Sequence, residues 1–272
     1  MNNLTKRTLS GIGFILVIVG ALTGGPLTFY ILFMVITGFC LLEFYDLAVK
    51  NGADVQKTTG IITGLVIFSV NFLVTGGYIE NNWWLIVLPF IFLIHIRELY
   101  RNKKNPFRNI TYTLAGLIYP LLFLTLISQI VFTPYPDPGY NHHMILSLFV
   151  LTWSHDSFAY IVGKWFGKHK LSRNISPQKS WEGVAGGLFF TILAALIIFY
   201  LTSHLNMVIW IVLAIIVSVA GTFGDLTVSS VKRSAGVKES GHLIPGHGGA
   251  LDRFDSALFI IPLAYAFIKL IL

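Results

Sequence analysis

The chain has 272 residues, of which 55% are hydrophobic and 11% charged, with a formal net charge of +7 and one cysteine. Soluble domains carry about 25% charged residues, so this composition indicates an integral membrane protein. The cations lie in short loops between apolar segments rather than on one water-exposed face, which argues against nucleic acid as a partner and for anionic headgroups and phosphates. A lone Cys40 excludes an intramolecular disulfide and a metal site built on cysteine.

A helix needs about 20 apolar residues to cross the hydrocarbon layer. Nine such segments follow one another, at 8–22, 27–49, 58–78, 83–97, 110–132, 144–162, 183–201, 207–228 and 256–272, predicting an all-α polytopic fold. The fourth is short and contains Pro89, which obscures its ends. The first lacks a small-residue cleavage site and precedes eight further spans, so it reads as a retained helix rather than a secretory signal. Every lysine and arginine except Lys269 falls before span one, or at the end of or after spans two, four, six and eight. Cytoplasmic loops concentrate these residues, so the amino terminus is expected in the cytoplasm, the polar chemistry on that side of the cell membrane, and the carboxyl terminus opposite. No linker separates soluble domains, but the chain has two characters: a multi-span region over 1–135 and a polar, chemistry-bearing region over 136–272.

The second region contains the run SSVKRSAGVKESGHLIPGHGGALDRFD at 229–255, too polar to span a bilayer. Glycine permits close backbone approach, cations hold phosphates, and carboxylates hold hard metal ions, so the mixture suggests phosphate chemistry at a membrane surface. Asp225 ends span eight, and Asp252 and Asp255 open span nine, on the same helical face if the helix has begun there. The connecting loop returns the chain to the same membrane face, so the three are expected to converge on magnesium or a similar cation. The plainer alternative makes Asp252 a helix cap and Asp255 a first-turn carboxylate.

Lys232, Arg233, Lys238 and Arg253 either neutralise phosphates or mark topology. Gly246, Gly248 and Gly249 around His247 can turn successive amides toward an anion. His247 itself is a phosphate donor, a partner of a carboxylate, or a loop stabiliser; His242 is read as a loop residue. Glu43 and Asp46 share a face near the cytoplasmic end of span two, and the favoured reading for both is interfacial or structural. A second polar island joins spans six and seven and contains Asp156, Ser176, Lys179, Ser180 and Glu182. Ser176-Pro177 reads as a loop or helix start, with Pro177 at the first helical position and Lys179 and Ser180 able to approach a phosphate or ribose. No GxxxxGK[ST] run occurs, so a Walker-type NTPase is unsupported.

The order and spacing of Ser229, Lys232-Arg233, Lys238-Glu239, Gly241, Pro245, His247-Gly248-Gly249 and Asp252-Arg253-Phe254-Asp255 resemble the signature of the phosphatidate cytidylyltransferases. Asp156, Gly163, Gly167, Ser176-Pro177, Lys179, Glu182-Gly183, Gly186-Gly187 and Gly224-Asp225 also look like family positions. The likeness covers roughly the last 120 residues. Glu239 stands where the family usually has aspartate, Ala250 where it has a larger aliphatic residue, and Gln178 where it commonly has lysine.

The resemblance implies transfer of CMP from CTP to phosphatidic acid, giving CDP-diacylglycerol and pyrophosphate. It implies catalytic roles for Asp225, Lys232, Arg233, Lys238, Glu239, His247, Asp252, Arg253 and Asp255, and substrate contacts from Asp156, Ser176, Lys179, Gly248 and Gly249. Asp225, Asp252 and Asp255 would hold Mg2+ or another divalent cation, and the enzyme would be a homodimer. Two rivals remain: a CTP-dependent lipid or polyprenol kinase, which would release CDP, and a non-enzymatic anion carrier, since charges near spans also mark transport paths.

Overall fold

The computed structural model describes residues 3–135, 138–202, 205–241 and 248–272, residues 3–9 by backbone alone. Among them are nine α-helices: α1 (Asn3–Thr23), α2 (Pro26–Lys50), α3 (Lys57–Thr75), α4 (Val87–Arg101), α5 (Pro106–Val131), α6 (His143–Phe166), α7 (Trp181–Thr202), α8 (Met207–Ser234) and α9 (Ala257–Ile271). Their ends follow local chemistry. Pro26 and Pro106 open α2 and α5, each after a residue at positive φ, Gly25 at 107° and Asn105 at 56°. Proline suits that position because its φ is already helical and its missing N–H would have had no intrahelical acceptor. Pro89 is tolerated for the same reason, in the first turn of α4 behind a 3-10 turn at Asn81–Ile86.

Seven of the helical segments are long and apolar enough to cross a membrane, and two shorter apolar ones occupy Ser10–Thr23 and Ala257–Ile271. Large apolar side chains such as Leu27, Ile62, Ile118, Phe189 and Ile197 point outward. Water would penalise such a surface and acyl chains accept it, so the fold is that of an all-α, multi-pass membrane protein. At about 1.5 Å per residue, the 15 residues of α9 rise less than the roughly 30 Å hydrocarbon thickness.

The chain divides into two compact units: Met1–Thr133 with Val231–Phe254, and Pro134–Ser230 with Asp255–Leu272. In the first, α2, α3 and α5 pack around Tyr45. Its ring lies where a Cβ at Gly60 of α3 or Gly116 of α5 would stand, and its hydroxyl donates to the Thr113 carbonyl at 2.9 Å. Toward the other end of these helices Phe29, Phe33, Phe72 and Phe132 stack or meet edge-on. Glu98 of α4, 4% exposed, accepts from Gln56 at 2.8 Å, Asn109 at 2.8 Å and Arg101 at 2.7 Å, so a buried charge is fully partnered and ties α4 to α5 and to the start of α3.

In the second unit, α6 and α7 approach through glycines. A Cβ at Gly183 would lie 2.7 Å from the Ala159 carbonyl oxygen, and one at Gly187 would meet the His155 ring at 2.7 Å. Gly221 and Gly224 of α8 likewise leave room for Ser256, Phe259 and Ile260 at the start of α9.

Between α6 and α7 the structure corrects one expectation. Ser176-Pro177 does not start a helix: β1 (Lys170–Ser172) and β2 (Ser176–Ser180) form an antiparallel hairpin, Lys170 opposite Ser180 and Ser172 opposite Ser176. Helix α7 begins only at Trp181 because the cap lies there: the Ser180 hydroxyl accepts the Gly183 N–H at 3.2 Å. A second difference concerns α9, which starts at Ala257; Asp252 lies in a separate 3-10 turn, Leu251–Arg253, and Asp255 in the bend between them. The helical-face relation between the two aspartates therefore does not exist.

Candidate functional site

In the first unit the end of α8 and the segment that follows it are organised by two carboxylates. Asp252 is 9% exposed and Lys232 7%. The Lys232 ammonium donates to Asp252 Oδ1 at 2.6 Å, while Oδ2 accepts the backbone N–H of Ser240 at 2.8 Å and of Gly249 at 3.0 Å. Burial alone would raise the Asp252 pKa, but Lys232 and these two amides hold it below the usual carboxylate range. Gly248 adopts φ 80°, a left-handed conformation that glycine takes without steric cost and that brings the chain back toward Asp252.

The second carboxylate is Glu43 of α2, 3% exposed. Its Oε2 accepts the Ser240 hydroxyl at 2.7 Å and the Leu251 N–H at 2.9 Å, and its Oε1 accepts the Ala250 N–H at 2.8 Å. Sequence reasoning read Glu43 as interfacial or structural. It is structural in its contacts, but what it holds is the segment that carries Asp252. Its one sequence signal was a carboxylate within a largely apolar span. Asp46, its neighbour on the helix, pairs instead with Lys57 across the turn to α3.

In the second unit Lys179, at the end of β2, reaches Asp225 Oδ2 at 2.5 Å, and the Ser229 hydroxyl donates to Asp225 Oδ1 at 3.0 Å. The pair is partly exposed, with side chains at 27% and 29%. Glu182, in the first turn of α7, accepts the N–H groups of Lys168 and His169 at 3.1 Å each and pairs with the His169 ring at 2.6 Å. That closes the hairpin on the helix and fixes Lys179. Behind it His155 of α6, 3% exposed, lies 3.2 Å from the Thr222 hydroxyl of α8, one turn before Asp225. Asp156 is exposed beside it on α6, and Ser176 is half-buried in the hairpin.

The expected residues thus fall into two groups. Lys232, Asp252, Gly248 and Gly249 come together in the first unit; Lys179 and Asp225 come together in the second, where Asp255 also lies. Arg233, Lys238, Glu239 and Arg253 are exposed, and Arg233 donates to the Val237 carbonyl at 2.9 Å, closing the end of α8. His247, with His242, Pro245 and Gly246, lies outside the described residues.

The donor chemistry of Asp225 and Asp255, hard oxygens with no thiolate, fits a magnesium-like cation. Gly224 stands close enough to the Asp255 backbone that a Cβ would lie 2.8 Å from its carbonyl oxygen, so α8 and the bend before α9 meet there. Both oxygens of Asp252 and both of Asp225 are already engaged, so a metal contact would displace Lys232 or an amide at the first and Lys179 or Ser229 at the second. Among the described residues no three histidine, cysteine or carboxylate side chains gather as a metal site.

The fold is that of a multi-pass helical membrane protein, and each of its two units holds a lysine–aspartate pair. The particular family follows from comparison: residues 5–271 match the cytidylyltransferase family, and the chain belongs to it. A phosphatidate cytidylyltransferase of Staphylococcus saprophyticus is 35% identical over 94% of this chain and 96% of its own length. One of Staphylococcus aureus strain COL is 49% identical over 123 residues, where the chain spans only 47% of that relative's length. A third, from Haemophilus influenzae, is 35% identical over 66% of this chain and 64% of the relative.

Proposed function

We propose that this protein transfers CMP from CTP to phosphatidic acid, releasing pyrophosphate and leaving CDP-diacylglycerol in the membrane. The observation that carries this reading is the buried Lys232–Asp252 pair inside the glycine-containing segment of a chain that aligns over 94% of its length with a phosphatidate cytidylyltransferase. An oxygen of the lipid phosphate attacks the α-phosphorus of CTP; the new P–O bond forms as the bond to the β-phosphate oxygen breaks, and the electron pair leaves with pyrophosphate. The attacking oxygen is already anionic, so no strong general base is needed, and the obstacle is charge repulsion. Lysine and arginine side chains offset it, and orientation of the two substrates supplies much of the acceleration. Lys232, Lys179, Arg233, Lys238 and Arg253 supply the positive charge; Asp252 and Asp225 hold the first two in place. Asp156, Ser176, Gly248 and Gly249 contribute substrate contacts, while Glu239 and His247 take the catalytic part that the family resemblance implies.

A divalent cation, Mg2+ by donor chemistry, belongs to the same proposal: Asp225 and Asp255 would hold it, Asp225 by exchanging its contact with Lys179 or Ser229. When bound it neutralises phosphate oxygens and the leaving group. The cell membrane is the expected location, with the amino terminus in the cytoplasm, where soluble CTP meets the bilayer-embedded lipid; a homodimer is the expected assembly. Purified protein in phosphatidic acid liposomes with CTP, with and without magnesium, should yield CDP-diacylglycerol and pyrophosphate only when the metal is present. Release of CDP with a phosphorylated lipid would replace this reading with a kinase, and anion flux without a nucleotide-lipid product would replace it with a carrier.

A further inference from the structure

We infer that Glu43, a buried residue of the second span, is a positioning residue for the transfer reaction, acting as the anchor that holds Ser240 and residues 249–251 so that Asp252 and Lys232 keep their geometry. This rests on the proposed function, and it extends the working machinery into the amino-terminal half of the chain, beyond the signature run. Ser240 donates its hydroxyl to Glu43 and its N–H to Asp252. Ala250 and Leu251 donate to Glu43, and the preceding Gly249 donates to Asp252. Two carboxylates on different elements thus grip the same short stretches of backbone, each occupying donors that the other leaves.

The glycines bear the imprint of this grip. At Gly249 and at Gly241 the three nearest atoms to an added Cβ all belong to Glu43, so a side chain at either position would force the Glu43 carboxyl out of its place. Neither residue needs positive φ, so what excludes a larger residue is the Glu43 carboxyl itself. An acidic side chain 3% exposed in an apolar span is costly. Three donors converging on it, two of them backbone amides from one turn, offset that cost and make its position sharply defined. Without the carboxylate, the Ala250 and Leu251 amides lose their acceptor, and the 3-10 turn bearing Asp252 loses its fixed place relative to Lys232.

The test is a double-mutant cycle on the purified full-length protein, with turnover, KM for CTP and thermal midpoint measured for wild type, Glu43→Gln, Glu43→Ala, Gly249→Ala and Glu43→Ala/Gly249→Ala. In Glu43→Gln, kcat per folded molecule should fall at least about tenfold with KM for CTP changed less than about threefold, the mark of an interaction expressed in the transition state. Gly249→Ala should cost about tenfold alone and less than about twofold further once residue 43 is alanine, because the obstructing carboxyl is gone. Wild-type kcat in Glu43→Gln, single losses that multiply in the double variant, or variants that change only the midpoint would each overturn the inference. Were the wild type to make no CDP-diacylglycerol, the functional reading would fail by itself. Additive thermal midpoints around the same cycle would then overturn the anchor as well, and non-additive ones would uphold the contact.

Discussion

Lys232 and Asp252 show how a buried ion pair can serve placement rather than stability. Removing one member of such a pair strands a charge and costs about 3–5 kcal/mol, whereas replacing both by apolar groups is often neutral or stabilising. Asp252→Asn should therefore lower the thermal midpoint and reduce kcat/KM at least about hundredfold, while Lys232→Met/Asp252→Asn, which strands no charge and keeps an oxygen for the Ser240 and Gly249 amides, should recover part of the midpoint and remain inactive. Recovery of turnover in the double variant would exclude both groups from the chemistry. The depressed pKa of Asp252 adds a pH signature. Its contribution to stability is fully present above the unfolded-state value and disappears as pH falls through the folded value. The midpoint gap between wild type and Asp252→Asn should thus be constant near neutrality and close in acid, as a thermal series from neutral to acidic pH would reveal.

At the scale of elements, close approach of α6 and α7 depends on glycine where the neighbour is backbone. A methyl at Gly183 would sit 2.7 Å from the Ala159 carbonyl oxygen, which cannot rotate away. Gly183→Ala should destabilise by about 1–3 kcal/mol despite the better helix propensity of alanine. Gly20→Ala in α1, with nothing within 4 Å of the added methyl, should be neutral or stabilising. Thermal unfolding in detergent distinguishes the two, and equal midpoints would remove the steric argument. The same unit explains why Ser176-Pro177 misled. Proline is common at a helix start, yet the Ser180 cap and the Glu182 contacts to residues 168 and 169 place the start four residues later and fold the intervening chain into a hairpin.

For the whole molecule, the segregation of lysine and arginine predicts orientation. Cys40 is buried, so its replacement gives a cysteine-free background for accessibility mapping. In right-side-out vesicles an impermeant maleimide should label Asn82→Cys, in the turn before α4, and spare Lys103→Cys, in the turn after it. The reverse pattern would invert the topology and put the proposed CTP-facing side in the wrong compartment.

Hydropathy and charge placement were enough to read the all-α, multi-pass architecture, because a bilayer demands long apolar helices and allows few alternatives. The signature run was legible for a similar reason: cations, carboxylates and glycines crowded into an oily chain have few other uses. Glu43 was visible only as an odd carboxylate, since its partners lie about two hundred residues away and no local pattern records them. Likewise the allotment of residues 231–254 to the amino-terminal unit, and of Asp255 to the other, follows from long-range hydrogen bonds and packing. Local sequence chemistry could dictate which segments become helices and which residues carry charge; the choice of partner for each buried charge belonged to the tertiary structure, because only there do distant donors and acceptors meet away from water.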